Sequence, residues 1–182
     1  MITVVQVLAV LALAANAVVY GTDAAAALVV RSANTHLDDT AMTLSAGWGH
    51  YYADRRMPPV GITGLVSMLA AAVGPPRGGA PVAGGGPPGG GGGAGSGGAG
   101  WGGGSGGGAP AAGVSVIALI AWLVLYARIA KPVNIAQKAA ALSGIIPANA
   151  RALQQRWDSI IGVRVGLQAI ALLAAAVTIA AV

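Results

Sequence analysis

From Met1 to Tyr20 the chain carries no charged side chain, and 20 residues wound as a helix extend about 30 Å, the thickness of a bilayer's hydrocarbon core. No other feature limits the fold as much, and three further apolar stretches follow it, Met57–Val73 without a charge and the other two with one charge each, Arg128 and Arg164, toward an end. Met57–Val73 is opened by Pro58 and Pro59, which suit the first turn of a helix and push the preceding chain out of helix. Ala109–Ala130 is ended by Lys131 and Pro132, and Ile160–Val182 is uncharged after Arg164. A soluble domain carries about 25% Asp, Glu, Lys and Arg, whereas this chain has 8% and no Glu. The expectation is an all-α polytopic membrane protein, an antiparallel bundle of four transmembrane helices. The run "LALAANA" has the small residues of a signal cleavage site, yet no positive stretch precedes it and the apolar pattern continues to Val30, so the first span reads as retained.

The segment Gly74–Gly113 holds 22 of the 30 glycines and 6 of the 10 prolines. It has no hydrophobic period and cannot bury enough surface to offset the entropy of ordering, which predicts a disordered Gly-rich loop. Glycine-rich loops cradle phosphate only between a strand and a helix, and that setting is missing here. The chain then divides into residues 1–73, with two spans and a polar segment 31–56; the loop 74–113; and residues 114–182, with two spans joined by a polar loop 131–159. Nine of the ten basic residues fall in or beside the two polar segments, and Arg77 alone lies in the Gly-rich tract. The positive-inside rule makes the polar side cytoplasmic and places both termini and the Gly-rich loop outside, in the cell membrane. A net charge of +5 therefore reads as topology. Lipid is the expected partner and nucleic acid is not. With no Cys in the chain, disulfides, thiolate nucleophiles and Cys-ligated metals are excluded.

Polar chemistry belongs to the cytoplasmic side. Within residues 31–56 a helix is expected, with breaks near Gly47 and Gly49. Trp48, Tyr51 and Arg55 form one stripe of it, while His50 and Asp54 stand at i, i+4, where a carboxylate can orient an imidazole and raise its basicity. The bland counterpart is an interfacial aromatic belt with snorkelling arginines. Asp23 sits in apolar "YGTDAAAALVV", where a carboxylate is costly and faces inward with a partner. Arg164 poses the same question on the stripe Trp157, Ile161, Arg164, Gln168, so an Asp23–Arg164 pair would satisfy both, as would separate snorkelling to the interface. Pro132 and Asn134 are read as interrupting the third helix, Ser143–Pro147 as a turn, and Pro147–Asn149 as the opening of the last helix.

The "PxN" of Pro132 and Asn134, followed by a polar stretch and "RWDSIIGVR" with Arg156, Trp157 and Arg164, resembles the anthrone oxygenase-like family of small four-helix membrane proteins. The segments "VVYGTDAAAALVVR" and "GHYYADRRMPP" are similar to its corresponding polar features. The Gly-rich insertion departs from the pattern, because relatives have a short loop there. The resemblance implies conversion of an anthrone-like, lipid-soluble aromatic molecule by molecular oxygen with no metal or flavin, so no cofactor is expected. On that reading His50, Asp54 and Arg164 are the catalytic candidates, and Trp157, Tyr51, Asn134 and Asp23 the substrate-binding ones.

Two other classes stand beside the enzyme. A transporter announces itself by broken helices and mid-membrane charge, and the middles of spans one, three and four have none. A non-catalytic scaffold or accessory subunit, including a homo-oligomer, would use small-residue faces such as Gly162/Gly166 and Gly61/Gly64.

Overall fold

The computed structural model describes residues 2–73 and 107–181. Among them there is no strand, and four long helices account for the fold: α1 (Val4–Asn34), α2 (Asp39–Val73), α3 (Gly108–Ser143) and α4 (Ala150–Ala180), each long and apolar enough to cross a membrane. At 31 to 36 residues they extend about 46–54 Å.

Local chemistry sets the helix ends. Thr3 caps α1 in a reciprocal box, its Oγ1 accepting from Gln6 N at 3.1 Å while its own N–H donates to Gln6 Oε1 at 2.9 Å. Asp38 caps α2 by accepting from the Ala41 N–H at 2.7 Å. Arg151, in the first turn of α4, closes the α1–α2 corner by donating to the carbonyls of Asn34 (3.2 Å) and Leu37 (2.9 Å) and to the Asp39 carboxylate. Gly144, at φ 72°, ends α3 with its N–H on the Ala140 carbonyl, the left-handed stop that glycine makes without strain.

Three boundaries differ from the sequence-based expectation. First, α2 runs unbroken from Asp39 through Gly47, Gly49, Pro58 and Pro59. Gly47 serves close packing instead of a break: a Cβ there would lie 2.2 Å from the Gln137 carbonyl oxygen and 2.6 Å from Ala141 Cβ. Second, α3 continues past Lys131, Pro132 and Asn134 to Ser143. A wide π turn at Tyr126–Ala130 ends just before Pro132, so the missing proline N–H falls in the first turn of a new α-helical stretch, where it is tolerated. Third, where the expected third span and the expected Gly-rich loop overlap, the helix prevails: it opens at Gly108, one residue before the span's expected start at Ala109; residues 74–106 of that loop lie outside the described residues.

Helix α4 packs against both α1 and α3, and α2 packs against the same two from the other side. Small polar side chains bond backbone across the α4 contacts. Thr178 Oγ1, 2.9 Å from Ala174 O in its own helix, shares its one proton with Gly108 O at 3.4 Å, while Ser115 Oγ donates to Ala171 O (3.0 Å) and Asn16 Nδ2 to Gln168 O (3.2 Å). Around the first two rungs lies a dry core of Ala12, Met68, Ala71, Ala112, Val116 and Ala175. Beyond the third the packing opens.

Candidate functional site

Past Asn16 the four helices line a partly open cavity of about 660 Å³, bounded by α1 from Asn16 to Asn34, α2 from Ser45 to Leu65, α3 from Leu119 to Asn134 and α4 from Gln154 to Gln168. Most of the lining is apolar. A second π turn, Ala26–Val30 in α1, faces the first at this level, and Ala26, Val30 and Tyr126 all line the cavity. Such turns gather at functional sites, because the wider helix carries its side chains off the regular stripe.

At the inner end stands the Asp23–Arg164 pair. Arg164 Nη2 donates to Asp23 Oδ1 at 3.0 Å, and Asp23 Oδ2 accepts from Trp122 Nε1 (3.0 Å) and Gln168 Nε2 (2.9 Å). Asp23 accepts three bonds and donates none of them, the pattern of an ionised carboxylate. Both residues are about 5% exposed, so the pair expected from the two sequence settings forms inside the protein, without snorkelling. Of the stripe expected to face inward, Ile161, Arg164 and Gln168 are buried and Trp157 is half-buried.

Three aromatic rings surround the guanidinium. Its Cζ lies 5.1 Å from the Trp122 ring centroid, 5.7 Å from Trp157 and 5.8 Å from Tyr126, within reach of cation–π attraction. Trp122 and Tyr126 stack with planes 10° apart. On the other side of Trp157 lies His50, with ring centroids 5.9 Å apart, so α2 and α4 bring the expected base and the expected aromatic surface together. Asn134 is buried in the lining as well.

Hydrogen bonding around the cavity is incomplete. Arg164 Nε and Trp157 Nε1 are buried donors, and Asn134 Oδ1 and Gln168 Oε1 buried acceptors, with no partner among the described residues. Buried polar atoms are normally paired, and an unpaired one costs about 1–3 kcal/mol. All four belong to residues that line this cavity.

Two expected contacts take a different form. Asp54 lines the cavity, but its hydrogen bonds go to Tyr126 Oη (3.3 Å) and Lys138 Nζ, so its carboxylate ties α2 to α3 and makes no hydrogen bond to His50. Tyr51 is outside the lining: its ring lies under the Arg55 guanidinium at 3.5 Å and edge-on to Trp48 and Tyr52, a surface cluster of the interfacial kind. Sequence reasoning missed Trp122, Tyr126, Lys138 and Asn16 as parts of the site. Trp122 and Tyr126 are the aromatic pair of the third span at i, i+4, which marks a face but not the level at which it meets Asp23. A further chain of amides, Gln137 Nε2 to Gln154 Oε1 and Gln154 Nε2 to Asp158 Oδ1, both 2.9 Å, leads from α3 to the cavity's rim. Among the described residues no three His or Asp side chains are grouped to hold a metal ion.

Comparison of the chain with protein-family models, curated proteins and solved structures finds no match.

Proposed function

We propose that this chain is a multi-pass membrane protein, an antiparallel bundle of four transmembrane helices with external termini, whose cavity takes up a flat, lipid-soluble phenolic molecule and oxidises it with molecular oxygen, as the anthrone oxygenase-like proteins it resembles do. Membrane insertion is supported by the outer surface, where Val10, Leu11, Ile62, Val66, Ile117 and Leu173 are exposed. In water, so continuous an apolar surface would drive association. The antiparallel order is supported by contacts along α4 that run backwards: Gly108 meets Thr178 and Ser115 meets Ala171, while Asn16 meets Gln168 and Asp23 meets Arg164. With α1 entering the bilayer near Val4, Asp23 lies about 29 Å along the helix, near the cytoplasmic face where the basic residues gather.

The observation that carries the functional reading is one largely apolar cavity lined together by His50, Trp157, Arg164 and Asn134. On this reading the ring system lies in the apolar cavity, with its carbonyl or phenolic oxygen toward the guanidinium of Arg164 and the rings of Trp122 and Trp157 around it. His50 stands beside Trp157, at the place for a base. Removing a proton from an activated methylene would leave an anion delocalised over the ring system, which Arg164 would stabilise by hydrogen bonding to its oxygen even though Asp23 neutralises the guanidinium's net charge. Attack of the anion's electron pair on oxygen gives a hydroperoxide, which loses water to leave a carbonyl. One oxygen molecule is consumed and one water released. A general base contributes about 10²–10⁴-fold in rate.

Oxygen uptake by purified, metal-stripped protein supplied with anthrone tests this directly. Wild type is expected to consume oxygen, His50→Ala to lose about 10²-fold or more, and Arg164→Ala to be strongly impaired. Uptake absent from wild type, or indifferent to both substitutions, would leave the scaffold reading, for which the exposed Gly162 and Gly166 on α4 offer an unpacked small-residue face.

A further inference from the structure

Arg164 invites the assumption that the cavity recruits an anion. The charges around it argue otherwise. Asp23 and Arg164 are salt-bridged at 3.0 Å, and Asp54 is salt-bridged to Lys138. The remaining charged residues of the lining are Arg31 and Asp158, one of each sign. The lining with Lys138 therefore sums to zero, and the cation deepest in the site is already neutralised by a carboxylate. A carboxylate ligand entering this apolar space would lose its hydration and meet no uncompensated positive charge, a transfer that costs far more than that of a neutral polar group. Apart from these charged residues, the polar side chains of the lining, among them Asn134, Trp157 and Gln168, are neutral hydrogen-bonding groups.

Resting on the reading of this cavity as a ligand site, we infer that Asp23 determines ligand charge: by neutralising Arg164 it makes the cavity select uncharged amphipathic molecules, which bear both a hydrogen-bond acceptor and a hydroxyl donor, over their carboxylate counterparts. Asp23 does this through Arg164, since the hydrogen bonds that its carboxylate accepts come from Arg164, Trp122 and Gln168. Replacing it with the isosteric amide keeps an acceptor for Trp122 and removes the countercharge. Arg164 is then a buried, unpaired cation, for which an anionic ligand is the natural partner.

The probes are 2-naphthol, uncharged at neutral pH, and 2-naphthoate, of similar shape and anionic. Binding is followed by quenching of tryptophan fluorescence in lipid nanodiscs, with empty nanodiscs as the blank. Wild type is expected to bind 2-naphthol at least about tenfold more tightly than 2-naphthoate, and Asp23→Asn to reverse that preference. Should Asp23→Asn alone not fold, 2-naphthoate added during solubilisation is expected to raise its recovery where 2-naphthol does not. The neutral double variant Asp23→Asn/Arg164→Gln is expected to keep the preference for 2-naphthol. A wild-type preference for 2-naphthoate, an unchanged preference in folded Asp23→Asn, or no selective rescue of an unfolded one overturns the inference and leaves the cavity a ligand site of another selectivity. Binding of neither probe by wild type removes the ligand-site reading as well.

Discussion

Asp23 alone would be among the costliest residues in the chain. A carboxylate out of water is several kcal/mol unfavourable unless its countercharge and hydrogen bonds are in place, and here Arg164, Trp122 and Gln168 supply them. That account has a measurable consequence. Arg164→Ala leaves Asp23 buried without its countercharge and is expected to destabilise the protein by about 3–5 kcal/mol, while the double variant Asp23→Ala/Arg164→Ala costs less than the two single losses added. Reversible unfolding in detergent, measured for the four members of the cycle, reads the coupling; additive losses would mean that the two side chains do not interact. This pair was legible in the sequence because two isolated charges in apolar runs need each other. Trp122 was not, since an indole in a membrane span is ordinary until its N–H is seen to donate to Asp23.

At the scale of the helices, apolar length named the elements correctly and their punctuation misled. Gly47 and Gly49 looked alike as helix breakers, yet both lie inside α2 and do opposite things. Gly47 is the point of closest approach to α3, and the groups its Cβ would meet include a backbone carbonyl, which cannot move aside as a flexible side chain can. Gly49 lines the cavity, and a Cβ there would meet nothing within 4 Å. Gly47→Ala is therefore expected to force α2 from α3 and cost about 1–3 kcal/mol, whereas Gly49→Ala should be neutral or slightly stabilising, since Ala is favoured in helix by about 1 kcal/mol. Thermal unfolding of the two variants in detergent separates these outcomes, and equal behaviour would contradict the packing described for α2. The two π turns left no mark that a periodicity of 3.6 can detect. They decide where Tyr126 and the residues after Pro132 point, so the sequence could name Asn134 and Lys138 but not their neighbours.

For the whole molecule, the four-helix architecture was readable from charge-free length alone, but the cavity was not, because it arises where four helices end their dry contacts together. The proposed arrangement in the membrane predicts which connections share a side. Single cysteines at His36 and Ile145, in the α1–α2 and α3–α4 connections, are expected to react with an impermeant maleimide only after the membrane is opened, and cysteines at Ile2 and Gly107 to react in intact cells. Labelling of all four from one side would contradict the topology. The central claim, that the cavity holds a ligand, is tested most directly by filling it. Gly49→Trp adds an indole to the cavity lining at a position where a Cβ would meet nothing within 4 Å, and the indole is expected to take the ligand's space. The measurement is the 2-naphthol dissociation constant of Gly49→Trp against wild type, with the unfolding temperature followed in parallel. A weakening of about tenfold or more, equivalent to 1.4 kcal/mol, with stability unchanged is the expected result, and unchanged affinity in a folded Gly49→Trp protein would contradict the account.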